Sequence, residues 1–138
     1  MDSLAMLAPA LIAEDWCPAM ARDLAIIADD ETPLDWYARG VESGALGAWS
    51  VYLGFDRVGT LLWRRELDSG EPCFVIVAAV GNHPAVDLMH HCSAHVERIA
   101  KSMGCRRVRF HTKRRALAEK ARALGYGTVE YACRKVVL

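Results

Sequence analysis

Five cysteines in 138 residues, none at CxxC spacing, do not make a zinc knuckle, and their odd number does not close a disulfide framework. No apolar run reaches the roughly 20 residues that a membrane-crossing helix needs. Asp2 stands where a secretory leader would carry basic residues, so no leader is expected. There is no repeat, no low-complexity tract and no linker-like segment. What is present is ordinary globular usage, 53% hydrophobic and 25% charged, which excludes a disordered chain. The expectation is a single cytoplasmic-type domain over 1–138, without a membrane span, long enough to bury a core unaided.

A formal net charge of zero hides an asymmetry. Residues 1–71 carry 5 Lys/Arg against 13 Asp/Glu, and residues 72–138 carry 12 against 4. Basic residues cluster at Arg106, Arg107 and Arg109 and again at Lys113, Arg114 and Arg115. Two readings follow. Either the basic half presents a surface to nucleic acid or an acidic protein, with Arg107, Arg109, Lys113, Arg114 and Arg115 as phosphate contacts, or the acidic half folds against it.

Hydrophobic periodicity sets the expected elements. Leu4, Leu7, Leu11 and Ile12 recur at helical spacing, so a helix is expected up to Glu14-Asp15. A second starts near Pro18, and a third at Thr32-Pro33, with Thr32 as capping hydroxyl and Asp35 complementing the dipole. Together they make 1–46 a helical N-terminal part. The period then changes to two. Residues 47–66 read as a hairpin turning at Phe55-Asp56-Arg57, and 73–80 as a buried strand of eight apolar residues. A helix over 84–103 follows, its stripe formed by Leu88, Cys92, Val96, Ile99 and Met103. A strand over 107–112, a helix over 113–124 and a strand over 128–138 complete the chain. The fold class is α/β (α+β by some schemes), a mixed central sheet with helices on both faces.

That order over 47–138 resembles the GNAT (N-acetyltransferase) superfamily. Asp56-Arg57-Val58-Gly59 is similar to the turn opening the family's third strand, 73–80 to its fourth, and Ala123-Leu124-Gly125-Tyr126 to the close of its last helix. The resemblance implies an acyl-CoA, such as acetyl-CoA, with its pyrophosphate on the main chain of Val80, Gly81, Asn82 and His83. The family's loop is Gln/Arg-x-x-Gly-x-Gly/Ala, whereas here one glycine remains and Pro84 offers no N–H. Ala121 stands where the family often has a general-acid Tyr, and 73–80 has no carboxylate. The family's first strand is not evident in 1–46. The helical start, the Trp-containing hairpin and the Gly-Cys-Arg-Arg-Val-Arg entry at 104–109 are similar to small GNAT-like proteins of tailed bacteriophages. That likeness implies a non-catalytic or vestigial protein acting through protein–protein contacts in virion assembly or host interaction, in the host cytoplasm or virion-associated. The alternative is an acyl-CoA-dependent N-acyltransferase with an altered loop.

Three other constellations carry chemistry. Asp87, His91 and His95 lie at i, i+4 and i+8, a spacing that can chelate a metal or simply face solvent. His83 and His111 sit at or beside strand ends, as candidate general bases or as a helix cap and a strand residue. Trp49 and Trp63 either line a groove or pack across the hairpin.

Overall fold

The computed structural model describes residues 9–81 and 88–110, with 119, 122 and 123, and of 88–91 the backbone alone. Its elements are β1 (Pro9–Ala13), α1 (Pro18–Ala25), α2 (Leu34–Glu42), β2 (Gly47–Leu53), β3 (Asp56–Asp68), β4 (Glu71–Gly81), α3 (Leu88–Ser102) and β5 (Arg107–Phe110). Among the described residues five strands form one sheet, in the order β1-β2-β3-β4-β5. The first three pairings are antiparallel, and β4 with β5 is parallel, with α3 as the crossover between them. This is the mixed α/β sheet expected from the pattern.

The sheet is covered on both faces. On one, Val96, Ala100 and Cys92 of α3 pack on Trp49, Val51, Leu61 and Phe74. On the other, Met20 and Leu24 of α1 and Tyr37 of α2 pack on Ala48, Leu62, Ala78 and Val80. Trp63 stacks on Phe74 with ring centroids 5.1 Å apart, and Trp49 lies 5.8 Å from the same ring. The two indoles are therefore core, and they do not line a groove. Gly47 is required beneath them, because a Cβ there would lie 2.2 Å from Cε2 of Trp63.

Two expectations are corrected. The helix expected up to Glu14-Asp15 is, over Pro9–Ala13, the edge strand β1, paired with β2 from Pro9↔Leu53 to Ala13↔Trp49. Leu11 packs into the α3-side core while Ile12 points outward, so period-two burial overrides the helical spacing of the leucines. Thr32 does not cap α2: Pro33 holds the cap position without a side-chain hydrogen bond. Instead Asp29 Oδ1 accepts the backbone N–H of Thr32 at 2.7 Å and of Glu31 at 3.0 Å, closing the turn before the helix. The hairpin turn also falls slightly earlier than expected, at Gly54-Phe55, where Gly54 takes φ +62°.

A bulge in β3 has a structural consequence. Val51 pairs with Gly59 and Tyr52 with Arg57, leaving Val58 as the extra residue. Val58 consequently joins the α3-side core while Arg57 turns to the opposite face, toward α1. There Arg57 donates to Asp23, to Ser50 Oγ and to Thr60 Oγ1, and Thr60 donates to Asp23 Oδ2 at 2.7 Å. Every member has a partner, which is the condition for burying such a network.

Candidate functional site

β4 is the strand at which the sheet changes from antiparallel to parallel pairing, the kind of switch beside which open α/β sheets bind ligands at strand carboxyl ends. Pairing with β5 runs from Cys73↔Arg107 to Ile76↔Phe110 among the described residues, while β4 itself continues to Gly81. On the β3 side the register passes from Leu62↔Ala78 to Trp63↔Ile76, so Val77 is a bulge without a partner in β3. The ladder is thus interrupted on β4 just beyond the last described parallel pair. Gly59 faces Gly81 across β3 and β4, and a Cβ on Gly59 would lie 2.4 Å from the Val80 carbonyl oxygen. Close approach of the two main chains sets the position of the β4 end.

Of the residues expected at a cofactor site, Val80 is buried on the α1/α2 side and Gly81 is exposed at the strand end. Asn82, His83 and His111 lie outside the described residues, as do Asp87, Lys113, Arg114 and Arg115 and the elements expected over 113–124 and 128–138. His91 is in α3 by its backbone. His95 is half-buried with Nδ1 3.1 Å from Arg98 Nη2, and no group of three metal-ligating side chains occurs among the described residues. The side chains of β4 at the bulge, from Ile76 through Val80, are all apolar. Free Cys73, Cys92 and Cys105 are buried. Burial pushes the Cys92 thiol up to about 11, and chiefly burial raises Cys73.

The charge asymmetry resolves in part within the fold. Arg109 pairs with Glu66 and, at 3.4 Å, with Asp68, while Arg107 lies 3.7 Å from Asp68. Acidic residues of β3 thus meet basic residues of β5 across β4.

Sequence reasoning missed two features. The Val77 bulge has no signal in an uninterrupted apolar run. A cleft of about 480 Å³ between α2 and β3, lined by Trp36, Arg39, Ser43, Leu46 and Arg64, joins residues far apart in the chain.

Neither a family model nor a curated protein matches the sequence. Solved structures do match in shape. An aminoglycoside acetyltransferase, meta-AAC0020, from an uncultured soil metagenomic sample and in complex with sisomicin, superposes at TM-score 0.66 with 10% identity, over 95% of this chain and 96% of its own. The aminoglycoside N-acetyltransferase AAC(6')-Iy in complex with CoA gives 0.64 with 15% identity, over 94% and 92%. A ribosomal-protein-alanine N-acetyltransferase from Brucella melitensis biovar Abortus 2308 gives 0.61 with 16% identity, over 95% and 97%. The fold is GNAT-like. β1 supplies the first strand that the sequence did not reveal, and no helix among the described residues is long and apolar enough to cross a membrane.

Proposed function

We propose that this chain is an acyl-CoA-dependent N-acyltransferase that binds its acyl donor along β4, from the Val77 bulge to Val80 and Gly81. The observation that carries the reading is the bulge itself, which interrupts the ladder beside a parallel strand boundary. The fit rests on main chain: the register slip at Val77 turns one β4 peptide out of the β3 ladder, on the strand that also pairs with β5. That mode of binding asks little of side chains, in keeping with the apolar character of 76–80.

When bound, acyl-CoA supplies an activated thioester. The main chain at Val77 orients its carbonyl and stabilises developing oxyanion charge. Val80, Gly81, Asn82 and His83 hold the phosphate end, and His83 or His111 takes the acceptor's proton. The acceptor amine forms the C–N bond as the C–S bond breaks, and the proton ends on the departing thiolate.

A second reading, a non-catalytic module docking other proteins in a bacteriophage virion or host cell, is favoured by one observation: no ionisable side chain lies on β4 from Ile76 through Val80. Calorimetric titration of acetyl-CoA into the full chain separates the two. Saturable micromolar binding at one site per chain is the expected result; no heat up to millimolar acetyl-CoA would overturn the acyltransferase reading in favour of the docking module.

A further inference from the structure

The cleft between α2 and β3 lies on the same side of the sheet as Val77, which packs against the α1/α2-side core. Its floor residue Arg64 pairs with Val75, two positions before Val77 on β4. Strand spacing and rise put the Arg64 and Val77 backbones about 8 Å apart. That distance is within the length of a small molecule seated on Arg64.

The chemistry of the cleft is specific. Trp36 leaves 42% of its surface exposed, an indole edge available for ring contact, although Tyr37 meets it in a T-shaped contact at 5.3 Å. Asp35 and Arg39, also at the cleft, pair with one another and cancel. Below them, Arg64, Arg107 and Arg109 share Glu66 and Asp68: Arg64 Nε lies 2.5 Å from Glu66 Oε1, and Arg109 engages both carboxylates. Three guanidiniums against two carboxylates leave one positive charge in this cluster, and Arg64 is its member that lines the cleft. The Arg64 side chain is also the more open of its pair, 41% exposed against 28% for Glu66, and its buried Nε makes no hydrogen bond to that carboxylate, so its terminal N–H groups can meet an anion.

We infer that this cleft seats the acceptor, and that the acceptor is an aromatic amino acid or a close relative: an amine also bearing one carboxylate and a flat ring. Arg64 takes the carboxylate and Trp36 the ring, directing the amine to β4. The inference rests on the acyltransferase reading, and polycationic amines are the class it excludes.

The test is calorimetric titration of N-acetyl-L-phenylalanine, the product such a transfer would give, into the full chain, alongside acetyl-CoA and spermine. Expected is saturable binding of the aromatic carboxylate, weakened at least tenfold by Arg64→Gln and by Trp36→Ala. Arg65→Gln, on the opposite face near Gly104, should leave it unchanged. The same arms should show L-phenylalanine accelerating release of free thiol from acetyl-CoA. Circular dichroism confirms that each variant is folded, and Trp36, being exposed, is a substitution the core tolerates. Acetyl-CoA binding without aromatic carboxylate binding would overturn the inference and leave the acyltransferase reading standing. Spermine that competes with N-acetyl-L-phenylalanine for the same site would overturn it as well. Carboxylate binding without acetyl-CoA binding would overturn the acceptor role together with the acyltransferase reading.

Discussion

Asp23 Oδ2 and Arg57 Nη1 lie 2.8 Å apart between α1 and the sheet, with side chains only 8% and 19% exposed. The pair ties the first helix to the second hairpin strand, and Ser50 and Thr60 satisfy remaining groups. Breaking such a pair from one side strands a buried charge, which costs about 3–5 kcal/mol. Arg57→Met should therefore lower unfolding free energy by that amount in urea titrations. Asp23→Leu combined with Arg57→Met should cost less than the two single changes summed, and simple additivity would show that the pair is uncoupled.

Gly47→Ala forces a Cβ onto the Trp63 ring from the adjacent strand. Overpacking of this kind costs about 1–3 kcal/mol. The accompanying loss of order in the Trp49–Trp63–Phe74 stack should appear as a changed near-ultraviolet circular dichroism spectrum, whereas Gly70→Ala, strained at φ +83° but with open space around it, should cost stability and leave that spectrum alone.

Gly59→Ala tests the site and not just the fold. Its Cβ meets the Val80 carbonyl oxygen, a main-chain atom that yields only if the end of β4 moves. Acetyl-CoA affinity should fall at least tenfold, measured under conditions where the variant is folded by circular dichroism. Unchanged affinity would mean that Val80 and Gly81 are not part of the binding edge.

Alkaline pH should destabilise the protein through its buried thiols. Burial raises the folded-state pKa of Cys92 from 9.0 to about 11, so the unfolded chain loses that proton first. Stability contributed by the neutral thiol is complete below pH 9, declines as pH rises from 9 to about 11, and levels off above. A two-unit difference corresponds to roughly 2–3 kcal/mol. Cys92→Ala should flatten the slope of unfolding free energy in this window, and thiol-reactive reagent at neutral pH should modify half-buried Cys17 well before Cys73, Cys92 or Cys105.

Arg109 is shared between two β3 carboxylates, so its charge is already engaged in the sheet. Arg109→Gln should lower stability by about 1 kcal/mol, as a part-exposed pair does. It should leave the salt dependence of any nucleic-acid binding nearly unchanged, in contrast to an exposed cation such as Arg106.

How much of this was legible follows from where each signal lies. The hairpin of β2 and β3 announces itself because Trp49, Val51 and Leu53 alternate with Ser50 and Tyr52, and one face is core. β4 reads as an interior strand because both its faces are covered. β1 does not, since five residues with Leu and Ala satisfy helical spacing equally well until β2 offers its edge. The bulges at Val58 and Val77 are invisible for a different reason. A one-residue slip is a property of two strands together, and an apolar run looks the same with or without it. The cleft joins Trp36 to Arg64 and, through Glu66, to Arg109, a relationship created by sheet order and absent from any local pattern. Charge sorting was half legible: the −8 and +8 balances of the two halves carry the attraction, but only the pairing of β4 between β3 and β5 says which residues meet.

The strand order has a kinetic corollary. β2, β3 and β4 are neighbours both in sequence and in the sheet, joined by the tight turns Gly54-Phe55 and Ser69-Gly70. Closing those short loops costs little chain entropy, whereas β1 must find β2 across both early helices and β5 must find β4 across α3. The three-stranded meander should accordingly form ahead of the rate-limiting barrier, with β1 and β5 added after it. Destabilising changes at Leu62 should slow refolding, while those at Leu11 or Val108 should chiefly hasten unfolding. The end of β4 that Gly59 meets is then set within the meander, while its pairing with β5 is added afterwards, so a chain synthesised only as far as β4 already holds the Val77 bulge before its parallel neighbour exists.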